Sequence, residues 1–256
     1  MIKRRKILVG NWKMNPNSLE DAVTLTTEIK QKLENNKKID VVVCPPYIFL
    51  NEVGAVLKDQ KKIKLGSQDV FGGDGTSFTG EVSVDMIKNA GAEYAIVGHS
   101  ERRKIFETLE MVSEKVVFSL KGGLKTILCV GEIARDEQGE FYNFIKTELL
   151  GALLKIKKSY LSNLIIAYEP IWAIGKKESE AISPENLHEM TIFIKKILND
   201  KFKEEGLLVP ILYGGSVNKN NVKEIISRGQ VDGILLGRES LKFDNFTEIA
   251  NILGEV

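Results

Sequence analysis

Short apolar runs recur along the chain at nearly even intervals, and few of them alternate with polar residues. KILVGN (6–11), DVVVC (40–44), IKLGS (63–67), YAIVG (94–98), TILCV (126–130), LIIAYE (164–169), PILYGG (210–215) and GILLG (233–237) each predict a short strand. Unbroken apolarity suits strands covered on both faces, as in a parallel sheet. Between these runs the apolar residues return every three or four positions. Leu19, Ala22, Thr26, Ile29 and Leu33 fall on one helical stripe, and so do Ile105, Leu109, Val112, Val116 and Leu120. Ile145, Leu149, Ala152 and Ile156 repeat the pattern, as do Leu187, Met190, Ile194 and Ile197. Ser183 followed by Pro184 predicts an N-cap with proline in the first turn. Shorter helices fit 47–58, 84–90, 222–228 and 246–253. Eight strands, each followed by something helical, close most simply into an α/β fold. It is a single (β/α)8 barrel over 1–256, with eight parallel strands ringed by helices. A doubly wound open sheet is the alternative, but it needs a break in the alternation that this sequence lacks.

Composition changes this picture little. The 256 residues fit one barrel, and 36 Lys and Arg against 35 Asp and Glu leave a formal charge of +1. That balance gives no reason to expect nucleic acid or membrane as a partner. The basic start MIKRRKILVGNWK has too short an apolar run for a signal segment, and no window has the length of a membrane helix. Cys44 and Cys129 both sit inside predicted strands, so a disulfide framework is not expected and a reducing, cytoplasmic setting is. No Cys/His spacing predicts a metal site.

Barrels of this type gather their chemistry at the C-terminal ends of the strands. The residues there are Asn11 and Lys13 after the first strand and Gly98 and His99 after the fourth. Glu169 follows the sixth, Gly214, Gly215 and Ser216 the seventh, and Gly237 the eighth. Taken singly, Lys13 reads as a solvated lysine, Asn11 as a turn residue and His99 equally as a structural or a catalytic histidine. Glu169 resists a bland explanation. Its flanks, Tyr168 before it and Pro170, Ile171 and Trp172 after it, imply partial burial, which favours the protonated form of a carboxyl and suits a general base working near neutrality. The glycine turns after strands seven and eight let backbone N–H groups approach an anion, and barrels often bind phosphate there. Ordinary strand-to-helix turns would use the same residues.

Seven stretches spread through most of the chain resemble the triosephosphate isomerase family: GNWKMN (10–15), FTGEVS (78–83), YAIVGHSERR (94–103), CVGE (129–132), AYEPIWAIG (167–175), YGGSV (213–217) and the DG-x3-G portion of 232–237. The resemblance implies an aldose–ketose isomerase of glycolysis and gluconeogenesis, interconverting dihydroxyacetone phosphate and D-glyceraldehyde 3-phosphate through an enediolate without a cofactor. That family is itself a standard case of a glutamate base beside a neutral histidine electrophile. Carried over by position, Glu169 is the base, His99 the electrophile, Lys13 the electrostatic stabiliser of enediolate and phosphate, and Asn11 a positioning group. Gly175, Ser216 and Gly237, with Arg238, would hold the phosphate, while Ser100, Glu101 and Cys129 would support the site. Pro170, Ile171, Trp172, Ala173, Ile174 and Gly175 would form the start of a water-excluding lid. The loop at 69–80 would insert into a partner subunit, with Thr79 close to the other active site, implying a symmetric homodimer.

The sequence departs from the family pattern in three places. The second lid hinge, 176–183, lacks the usual glycine and reaches Pro184 two residues late. Arg238 stands where a second phosphate-binding glycine is common; its N–H could still donate. Lys195 takes the place of an arginine whose fork would pair with Asp232. Two other functions fit a phosphate-binding barrel. A lyase is disfavoured by the lack of a mid-barrel Schiff-base lysine, and a non-catalytic sugar-phosphate binder by the presence of Lys13, His99 and Glu169 together.

Overall fold

The computed structural model describes residues 5–174 and 181–256. Eight strands, β1 (Lys6–Asn11), β2 (Ile39–Cys44), β3 (Ile63–Ser67), β4 (Tyr94–Val97), β5 (Lys125–Val130), β6 (Leu164–Tyr168), β7 (Ile211–Tyr213) and β8 (Gly233–Leu236), form a closed parallel barrel. Each pairs with its sequence neighbours, and β1 closes on β8 through Ile7 opposite Gly233 and Gly10 opposite Leu236. The helices are α1 (Leu19–Leu33), α2 (Leu50–Leu57), α3 (Val84–Asn89), α4 (Ser100–Ile105) and α5 (Leu109–Lys121). They continue with α6 (Glu140–Ala152), α7 (Pro184–Phe202), α8 (Glu204–Leu207), α9 (Val222–Gly229) and α10 (Phe243–Leu253). Among the described residues no helix is long and apolar enough to cross a membrane.

Unbroken strand apolarity has its cause in two separate cores. Ile7, Val9, Val42, Cys44, Ile96, Ile127, Cys129, Ile165, Ala167, Leu212 and Leu235 fill the barrel interior. Their neighbours in sequence, such as Leu8, Val41, Val43, Leu128 and Ile166, face outward into the layer against the helices. Alternation therefore exists along each strand, but it separates one apolar layer from another. Cys44 and Cys129 are buried and unpaired.

Helix starts follow the expected chemistry. Ser18, Ser83, Thr108 and Ser183 each accept a backbone N–H from three residues on, and Pro184 sits in the first turn of α7. The stripe predicted from Ile105 to Leu120 needs one correction. The chain breaks after Ile105, Thr108 caps a new helix, and Ile105 is 76% exposed rather than buried.

Candidate active site

The C-terminal strand ends open into a cavity of about 850 Å3. Asn11, Lys13, His99, Glu101, Glu169, Ser216, Gly237 and Arg238 all line it, as do Ile174, Gly214 and Gly215. Residues separated by more than 220 positions thus converge because the strands run in parallel and every C-terminal end faces the same mouth.

Glu169 sits one residue past β6 and is 2% exposed. Its N–H donates to Val130 O at 2.8 Å, which pins it to β5. Two glycines make its tight setting possible. A Cβ on Gly131 would lie 1.7 Å from Glu169 O, and one on Gly214 would lie 2.7 Å from its Cγ. The carboxylate receives the Ser100 N–H on Oε2 at 3.3 Å, and its Oε1 lies 3.2 Å from His99 Nε2.

His99 caps the short helix α4, and its Nδ1 accepts the Glu101 N–H at 3.2 Å. With Nδ1 occupied as an acceptor, the neutral ring carries its proton on Nε2, the atom turned toward Glu169. Lys13 Nζ meets Glu101 Oε1 at 2.5 Å, so Glu101 holds the cation through its carboxylate and the imidazole through its backbone N–H. Lys13 has a left-handed backbone (φ 55°), an uncommon state for a residue with a side chain. It is held there by its own N–H on Asn11 Oδ1 at 3.0 Å and by Gln68 Nε2 on its carbonyl at 2.8 Å. A Cβ on Gly237 would lie 3.1 Å from Lys13 Cε, so the lysine stem passes directly beside the second glycine turn.

Of the residues expected to support the site, Glu101 lines the cavity, while Cys129 lies behind it. The Cys129 side chain is buried, and burial together with the nearby Glu169 charge pushes its thiol well above the usual range. Arg103 ties β4 to β5 by donating to Gly98 O and Cys129 O, and it pairs with the buried Glu148 at 2.9 Å. Glu148 in turn accepts the Gly131 N–H; burial pushes its carboxyl up, with Arg103 opposing. Ser216 Oγ donates to Ala173 O at 2.8 Å, joining the β7 turn to the segment after Glu169. Pro170 and Ala173 are buried, Ile171 and Trp172 partly so. Gly175 and most of the second hinge, 176–180, lie outside the described residues. Thr79 is exposed at the tip of its loop, away from the cavity lining. Lys195 Nζ donates to the carbonyls of Leu207 and Val209, and Asp232 accepts the Ile211 N–H at 2.8 Å.

Sequence reasoning missed several contributors. Gln68 bridges Lys13 O and Cys44 O, while Asn15, Asn218, Glu239 and Lys242 line the outer cavity. Glu132, buried beside the Trp172 indole with Nε1 on its Oε1 at 2.9 Å, was legible only as the last letter of the CVGE motif.

Comparison with known proteins shows the family and the fold. The family model described as triosephosphate isomerase matches residues 6–253. A triosephosphate isomerase of Flavobacterium psychrophilum is 40% identical over 252 residues, covering 97% of this chain and 99% of that protein. One from Dehalococcoides mccartyi is 41% identical over 249 residues, covering 96% and 95%. A crystal structure of the Bartonella henselae triosephosphate isomerase superposes with a TM-score of 0.86 at 31% identity, covering 97% of this chain and 99% of that one.

Proposed function

Since the chain belongs to the triosephosphate isomerase family, an isomerase interconverting triose phosphates, we propose that Glu169 is its base, His99 its electrophile and Lys13 its electrostatic anchor. The reading rests on one observation: those three side chains share a single cavity that ends in glycine turns after β7 and β8. Glu169 removes a proton from the carbon beside the carbonyl of dihydroxyacetone phosphate and returns it to the neighbouring carbon. No redox partner or cofactor is called for by that transfer. His99 Nε2–H, now facing Glu169, would donate to the substrate oxygens instead. A neutral donor there, and the Lys13 cation, stabilise the charge that develops on oxygen when the enediolate forms. Gly237 and Ser216, with the N–H of Arg238, hold the phosphate, and Gly175 belongs to the same proposed set. Trp172 and its neighbours, Pro170 to Gly175, close over the site and exclude water.

The test is direct. Purified protein given dihydroxyacetone phosphate in a coupled assay is expected to form D-glyceraldehyde 3-phosphate. Binding of 2-phosphoglycolate with no turnover would instead mark a sugar-phosphate binder and overturn the reading.

We also propose a homodimer in a reducing, cytoplasmic compartment, the latter in keeping with two buried, unpaired thiols. Support for the dimer comes from exposed apolar side chains on loops that follow neighbouring strands. Met14 (89% exposed) follows β1, Ile48 (77%) follows β2, Phe78 (48%) follows β3, and Phe106 (53%) follows α4. A second copy of the chain covering these side chains would remove their apolar surface from water. Light scattering is expected to give twice the 28.6 kDa chain mass, and Phe78→Asp to shift the population toward single chains. A parent protein that runs as one chain at micromolar concentration would exclude the dimer.

A further inference from the structure

We propose that Arg135 is a positioning residue for the reaction, holding the segment that carries Glu169 through Glu132 and Trp172. This rests on the proposed role of Glu169 and goes one layer behind it. Glu132 follows β5 and is 1% exposed. Its Oε1 receives three donors: Tyr168 Oη at 2.8 Å, Trp172 Nε1 at 2.9 Å and Arg135 Nε at 3.2 Å. Its backbone carbonyl accepts the Ile171 N–H at 2.9 Å. Glu132 therefore grips the chain on both sides of Glu169, at Tyr168 and at Ile171–Trp172.

A buried carboxylate needs a counter-charge as well as donors. Among the described residues Arg135 is the cation paired with it. Arg135 does more than neutralise. Its Nη2 lies 3.3 Å from Tyr168 Oη, and its guanidinium lies 5.7 Å from the Trp172 ring and 4.8 Å from the Phe141 ring. The planar fork is thus flanked by an aromatic ring of the Glu169 segment and one at the start of α6. From Phe141 the contacts run to Tyr142 at 4.1 Å and on to Phe193 of α7 at 4.9 Å. Arg135 joins the segment leaving β6 to the helix that resumes after it.

Loss of this cation would leave Glu132 buried without its counter-charge and Trp172 without its ring partner. The segment then shifts, and Glu169 with it. Displacing a base by about an ångström costs rate far more than affinity, because phosphate is held on the other side of the mouth. A misplaced base also returns its proton late. An enediolate left waiting has a second exit. Its oxyanion closes to a carbonyl, the C=C electron pair shifts by one carbon, and the bond from carbon to phosphate oxygen breaks. Inorganic phosphate and an enol aldehyde leave, with no external oxidant or reductant needed.

The experiment compares the full-length parent, Arg135→Ala and Arg135→Lys, measuring kcat, KM and the share of turnovers that release inorganic phosphate. Arg135→Ala is expected to lower kcat roughly ten- to a hundredfold with KM little changed. It is also expected to raise the phosphate share, a ratio that does not depend on how much enzyme is folded. Arg135→Lys keeps the charge and loses the flat fork, so it should lie between the other two. Should the alanine variant fail to fold, the lysine variant decides alone. Parent-like kcat and phosphate share in the folded variants would overturn the inference, as would a lower kcat with an unchanged phosphate share. Retained activity in Glu169→Gln would sink the role of the base itself; parent-like Arg135 variants would sink only this inference.

Discussion

Glutamine in place of Glu169 is expected to lower kcat by about 10²–10⁴-fold or more, with little change in KM. The amide keeps the shape of the carboxylate, and shape matters at this position. Gly131 and Gly214 press on Glu169 so closely that neither could carry a methyl group, and the residue is 2% exposed. A glutamine fits the same slot and can still accept the Ser100 N–H through its oxygen. What it cannot do is take a proton from carbon. Phosphate affinity should survive, because the proposed phosphate ligands Ser216 and Gly237 lie on the turns after β7 and β8, which do not depend on the charge of Glu169. Steady-state rates in both directions, with 2-phosphoglycolate inhibition as the binding control, check the point. A variant within tenfold of the parent in kcat would remove Glu169 from the chemistry.

The strands were legible to within a residue or two, since parallel strands buried on both faces announce themselves as unbroken apolar runs. The largest miss was the end of β7. Gly214 and Gly215 continue the run in sequence but lie in the turn, where Gly214 packs on Glu169. Ile105 misled for a related reason. Helical periodicity persisted across a break that only Thr108, as a cap, could have signalled. At the site, residues that touch the cavity stood out because they follow strands directly. The residues behind them did not. Glu132 has its partners 36 and 40 positions away in sequence, at Tyr168 and Trp172, and a glutamate in a loop reads as a solvated charge until the fold buries it. Gln68 likewise shows no pattern of its own, yet it holds the strained backbone of Lys13. Lys195 shows the reverse. Its replacement of an arginine predicts a lost pair with Asp232, while the structure gives its Nζ two carbonyls and gives Asp232 the N–H of Ile211.

Lys115→Met is expected to be the most damaging single change to stability. Lys115 on α5 is 4% exposed, and its Nζ lies 2.8 and 2.7 Å from the two oxygens of Asp69 and within hydrogen-bond reach of Glu107. Arg102 reaches the same two carboxylates from the partly exposed side, at 2.7 and 2.5 Å. Two anions and two cations balance, with Lys115, Asp69 and Glu107 buried and Arg102 partly open to water. Burial pushes the Asp69 carboxyl up even so, with Lys115 and Arg102 pulling the other way. The network is thus costly to assemble, and its members depend on one another. Methionine fills the lysine stem but leaves two buried carboxylates sharing one arginine. Breaking a buried pair in this way costs about 3–5 kcal/mol, equivalent to a midpoint lowered by roughly 6–20 °C in a chain of this size. Thermal unfolding at fixed chain concentration measures it, concentration being held constant because a dimer would otherwise shift the midpoint. Asp69→Asn added to Lys115→Met removes the one uncompensated charge and should recover a large part of the loss. Non-additivity of that kind separates electrostatics from simple packing. If both single variants and the double variant melted within about 2 °C of the parent, the four charges would not be an interdependent set. The consequence reaches the surface as well. Asp69 begins the loop 69–82, Gly72 of that loop is packed on the Lys115 backbone so closely that a Cβ would lie 2.6 Å from its nitrogen, and the exposed tip carries Phe78 and Thr79. In the proposed dimer, a loosened base should therefore weaken subunit association along with the fold, and the variant would be expected to dissociate on dilution before the parent.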